Sequence, residues 1–184
     1  MRRGPIAVLV AIAALVVAAV AVVLIVATNE GSETDAGSGH DDHTHVETED
    51  PANAEPATVA ERALAAMFSW QPVTDPSPGA AVTRALPWLG GDLAAQAQQP
   101  PATGIRPLPQ WQPWKESGDI VSATAEASAP ILATADRQVL PVTLTQTVLH
   151  GDGSTTPYAT HQVTAVVDRT DTGWRLTEYN LAPN

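Results

Sequence analysis

Hydropathy divides the chain before any motif is read. Residues 6–27 are apolar without a break, IAVLVAIAALVVAAVAVVLIVA. As an α-helix this run would span roughly 33 Å at ~1.5 Å per residue, enough to cross a bilayer core of ~30 Å. The pattern predicts a cytoplasmic end over 1–5 and a transmembrane helix over 6–27. A cleavable signal peptide is the competing reading. It would carry a shorter apolar region and a small-x-small cleavage site, whereas this run exits through Val26-Ala27-Thr28-Asn29. Arg2 and Arg3 precede the run, and no Lys or Arg follows until Arg62. The positive-inside rule then keeps the N-terminus in the cytoplasm and exports residues 28–184 as the extracytoplasmic part of a single-pass protein of the cell membrane.

Residues 28–56 reverse the pattern. Nine positions are acidic, none is basic, and the segment holds one valine and no aromatic residue. Such a stretch buries too little apolar surface to offset the entropy of ordering it, so it reads as a disordered acidic tether. Within it lies His40-Asp41-Asp42-His43-Thr44-His45. His40, His43 and His45 are candidate ligands for zinc, copper or nickel. The alternative is a solvated linker with incidental histidines, since nothing in such a segment orients the rings.

From residue 57 to 184 the alternation becomes that of a folded domain. Thr58-Val59-Ala60-Glu61 has the form of a capping box, and Ala60, Leu64, Met67 and Phe68 recur at helical spacing. That helix is expected to stop before Pro72. Ser77-Pro78 marks a second helix start, running to Leu86, and Asp92 a short third one through Gln98. The five prolines of 100–118 predict an extended loop carrying Trp111 and Trp114. These two tryptophans are the candidate interaction surface; the other reading lays them over the core as a lid.

Beyond residue 118 the period becomes two. Strands are predicted over 119–128, 138–150, 158–169 and 174–181, with turns at Gly151-Asp152-Gly153-Ser154 and Thr170-Asp171-Thr172-Gly173. Pro141 argues that the second of these strands is an edge strand or only starts there. Helices followed by a four-stranded antiparallel meander make an α+β domain, with the helices on the concave face of a curved sheet.

Composition narrows the function. A formal net charge of −11 leaves no basic patch for nucleic acid. The absence of cysteine removes disulfides, thiolate metal sites, cysteine nucleophiles and a lipid-modified cysteine anchor.

The helices-then-meander order, together with the ending Asp171-Thr172-Gly173-Trp174-Arg175-Leu176, resembles the nuclear-transport-factor-2-like cone. With one anchor helix and a tether, the chain is similar to two bacterial groups. One is the bitopic assembly components of conjugation and type IV secretion machines, including their Gram-positive counterparts. The other is the membrane proteins associated with mammalian-cell-entry lipid transporters. The phrases Ala-Met-Phe-Ser-Trp (66–70), Arg-Ala-Leu-Pro-Trp-Leu (84–89) and Pro-Gln-Trp-Gln-Pro-Trp (109–114) resemble the first group more. The resemblance implies a scaffold that meets other envelope proteins or itself, or else a ligand or lipid carrier.

Enzymes of the cone class place Asp and Tyr groups inside the cone, which makes Asp119, Tyr158, His161, Asp168 and Tyr179 the residues to locate. No nucleophile elbow, phosphate loop or metalloprotease motif accompanies them. The sequence reading is therefore a non-enzymatic module with no catalytic residues and no cofactor.

Overall fold

The computed structural model describes residues 50–99 and 108–183. Among them no helix is long and apolar enough to cross a membrane. The predicted span 6–27, most of the tether, and His40, His43 and His45 lie outside them.

Helix α1 (Pro56–Phe68) opens the domain. It buries Val59, Ala60, Ala63, Leu64 and Met67, the one-sided stripe that its spacing predicts. It does not begin with the capping box. Pro56 occupies the first turn, where its missing N–H costs nothing and its fixed φ suits a helix. The start therefore moves ahead of Thr58, and Glu61 is left free to turn toward the sheet. Two short helices follow, α2 (Ala80–Arg84) and α3 (Gly91–Ala97), separated by a 3-10 turn at Leu86–Trp88. The expected loop over 100–118 ends in a fourth helix, α4 (Trp111–Ser117). Pro113 sits in the first turn of α4, where a helix tolerates proline, and Gly118 closes the helix at φ 74°.

Strands β1 (Ile120–Ala127), β2 (Leu132–Ala133), β3 (Arg137–Leu149), β4 (Thr155–Thr170) and β5 (Gly173–Leu181) form one antiparallel sheet. The order is β1-β3-β4-β5, with the two-residue β2 beside β3 beyond the end of β1. The expected four-stranded meander is thus present, with β2 added. Register shifts at Gln146/Thr147 and Val166/Val167 accompany the curl of the sheet into a half-barrel.

Pro141 lies inside β3, a central strand, contrary to the edge assignment. Its carbonyl accepts the Ser128 N–H at 2.8 Å, so its absent N–H faces the break between β1 and β2 and removes no bond to β4. The interruption of the neighbouring strand is what accommodates the proline.

The inner face of the sheet carries Leu140, Val142, Leu144, Val163, Ala165, Val167 and Leu176, all buried with Leu64 and Val59 of α1. A second cluster joins Trp70, Ala81, Trp111, Trp114, Val121 and Val148. Between the two, Gln146 is 1% exposed and its Nε2 donates to the Phe68 carbonyl at 2.8 Å, satisfying a helix-end acceptor inside the core.

The described end of the acidic segment, residues 50–55, packs against the domain. The Arg175 guanidinium donates to the Pro51 carbonyl at 2.8 Å, and Ala54 is buried. Gly173, at φ 106°, passes so close to Ala52 that a Cβ would stand 2.5 Å from its carbonyl oxygen.

Candidate functional site

Sheet edges expose main-chain donors and acceptors, and parts of these edges are covered by other segments of the chain. Leu89 bridges to Leu176, and the Gly90 N–H donates to the Leu176 carbonyl at 2.9 Å, which covers part of β5. Where β4 runs past the end of β5, Pro157 and the bulge at Gln146/Thr147 blunt the overhang. On β1, Val121 exchanges two backbone bonds with Trp70 at 2.8 and 3.0 Å. The Ala123 N–H donates to the Ser69 hydroxyl at 3.0 Å, and the Ala127 N–H to Glu61 Oε1 at 2.8 Å. Ser69 itself is held by donating to the Ala65 carbonyl at 2.7 Å.

Between those caps the edge stays open. Val121, Ala123 and Ala127 all present their N–H groups on the side away from β3, so Ala125, in the same phase, does too. Its N–H has no hydrogen-bond partner among the described residues. This stretch floors a half-open cleft of about 350 Å³. Thr58, Glu61, Arg62 and Ala65 of α1 form one wall, and Ala123, Thr124 and Ala125 of β1 the other. Three of the lining residues are alanines, whose short side chains leave the space between the walls unfilled. The cleft suits an extended backbone, which supplies a carbonyl and N–H groups at strand spacing.

The other candidate side chains are dispersed. Trp111 and Trp114 are 6% and 7% exposed, with both rings turned inward. Trp114 meets Tyr158 edge-on at 5.0 Å, and Trp70 lies 6.1 Å from Trp111. Helix α4 aims them at the second core cluster, so each contributes packing and not an exposed face. Asp119 follows Gly118 and is buried; its Oδ2 lies 3.1 Å from His150 Nδ1. His150 Nε2 lies 2.9 Å from the Thr156 hydroxyl. Asp168 is shared by Arg137, at 2.9 Å, and by the Thr177 hydroxyl, at 2.6 Å. His161 is half-buried opposite Leu144. Tyr179 meets Phe68 edge-on at 6.0 Å, and burial raises its phenol above the ordinary value. These groups occupy five separate places; Asp119 is partnered by the His150 imidazole, and Asp168 by the Arg137 guanidinium and the Thr177 hydroxyl. Among the described residues no group of three metal-ligating side chains converges.

The open β1 edge and the His150 partnership were missed from sequence. Ala125 has no side-chain chemistry to signal the first. The second depends on the sheet register that brings the end of β3 beside the start of β1.

No family model matches the chain. No curated protein matches it either. Among solved structures, it is similar to the intermembrane space region of the chloroplast protein ARC6, with 14% identity and TM-score 0.36 over 69% of this chain and 91% of that one. It is similar to CagV, a VirB8 homolog of the type IV secretion system of Helicobacter pylori strain 26695, with 12% identity and TM-score 0.43 over 70% and 96%. A nuclear transport factor 2-like superfamily protein from Salmonella enterica serovar Typhimurium LT2 aligns over 33% of this chain and 45% of its own, with 23% identity and TM-score 0.26. These superpositions are loose, and no function passes through them.

Proposed function

We propose that the chain is a non-enzymatic, membrane-anchored scaffold whose exported α+β domain docks other envelope proteins, as an assembly component of a conjugation or secretion-type machine. The observation that carries this reading is the α1/β1 cleft, where the Ala125 N–H is unpaired between two capped amides of the same edge strand, Ala123 and Ala127. An apolar run of 22 residues ahead of the domain supports the anchor. Confinement to a membrane would raise local concentration, so a small interface could suffice for docking. The carrier reading is weaker, because leucines and valines of α1 and the sheet fill the space inside the half-barrel.

The test is site-specific photo-crosslinking from Thr124 in native membranes, with protease added outside intact cells to map topology. Covalent capture of a defined envelope protein, and external cleavage of residues 57–184, are expected. A chain that is protected from external protease, or that captures no protein, would overturn the reading.

A further inference from the structure

Resting on that docking reading, we infer that the cleft takes its partner by strand addition, and that the incoming strand carries a basic residue beside Glu126 and a small residue opposite Ala125.

The register of β1 dictates the pattern. Ala125 packs against the core side of the sheet, while Thr124 and Glu126 are exposed on the outer side. A strand hydrogen-bonded at Ala125 would place its own opposed residue on the core side, between Thr58 and Ala65. A small side chain there would leave α1 in place. The residues on either side of it would stand next to Thr124 and Glu126. An opposite charge beside Glu126 is favoured, and a like charge is penalised.

The chain already pairs antiparallel with β1 at Trp70↔Val121, so an antiparallel guest would prolong an existing ladder, beyond the Ser69 cap on Ala123 and beside α1. At the far end Glu61 caps the Ala127 N–H through a flexible side chain. A longer guest would exchange its own carbonyl for that carboxylate. Glu61 is thus a displaceable cap that covers the ladder when no guest is present.

The experiment uses the full-length chain and the blocked peptide Val-Lys-Ala-Thr-Val. Its controls are the same peptide with Glu in place of Lys, and a version N-methylated at the central alanine. Expected are saturable binding of the Lys peptide, slowed hydrogen exchange at the Ala125 amide, roughly fivefold weaker binding of the Glu peptide, and no binding of the N-methyl peptide. Ala125→Pro should abolish binding. Because that variant can fail to fold, the N-methyl peptide removes the reciprocal bond of the same pair, from the guest amide to the Ala125 carbonyl, on the native chain. Equal binding of all three peptides, or unchanged exchange at Ala125, would overturn the inference. Slowed exchange that depends on protein concentration without peptide would assign the edge to a second copy, and would also overturn it. Peptide binding by a chain that captures no envelope partner in membranes would leave strand addition standing and remove the assembly reading.

Discussion

Asp75 receives both terminal nitrogens of Arg84, Nη1 on Oδ1 at 2.6 Å and Nη2 on Oδ2 at 2.9 Å. The same guanidinium donates to the Ser69 carbonyl at 2.8 Å, and the Gln71 N–H donates to Asp75 Oδ2 at 2.8 Å. One ion pair therefore fixes the exit of α1, the turn after it and the start of the second helical segment. The exit matters for the cleft, because Ser69 and Trp70 cap β1.

Burial alone would raise the Asp75 carboxyl, but the hydrogen bonds from Arg84 and Gln71 outweigh it and hold the group below the ordinary carboxylate value. A lowered folded-state pKa contributes stability above the ordinary carboxylate range, and that stability is lost as pH falls through the lowered value. Asp75→Asn should therefore be less stable at neutral pH and lose less on acidification. Urea midpoints from neutral to strongly acidic pH read this directly, and parallel curves for the two proteins would refute it.

Tyr179 gives the opposite limb. Burial raises its phenol, so its contribution is complete below the ordinary phenol value and is lost as pH rises through the raised one. Tyr179→Phe should flatten the alkaline fall in melting temperature.

Truncating Trp114 removes the ring that Tyr158 and Trp70 pack against. Trp114→Ala should cost about 3–5 kcal/mol and erase much of the near-ultraviolet circular dichroism. A loss no larger than that of an exposed surface change would show that α4 is not part of the core.

His150→Ala leaves the buried Asp119 carboxylate without its imidazole partner. The expected cost is about 1–3 kcal/mol. Thr156→Ala, which removes only the exposed hydroxyl at the other ring nitrogen, should cost less. Chemical denaturation of both variants checks the order.

Gly173→Ala places a methyl group against the Ala52 carbonyl at a φ that side chains rarely adopt. A loss of about 1–3 kcal/mol is expected, with faster proteolysis near residue 52. Unchanged protection there would mean that the 50–54 segment is held by other contacts.

Most of the architecture could be read from local pattern. The stripe of α1, the period of β4 and the glycines at 151, 153 and 173 each specify their element within a few residues. What could not be read depends on distant neighbours. Pro113 resembles a helix breaker until the helix is known to start at Trp111. Pro141 resembles an edge residue until the gap between β1 and β2 is placed beside it. Glu61 has the spacing of a capping box, but Pro56 starts the helix early and the carboxylate bonds to Ala127 instead. The candidate site is harder still, because its decisive atom is a backbone amide in an alanine-rich strand.

The route by which the chain enters its domain has a mechanical consequence. Residues 50–54 reach α1 only after Pro51 has been clamped by Arg175 and Ala52 has been laid against Gly173. A pull transmitted from the N-terminal side would therefore be taken up first by the β4–β5 hairpin, and only after the clamp had yielded by α1 and the cleft. Grip on a partner would thus be insulated from tugging along the chain that precedes it.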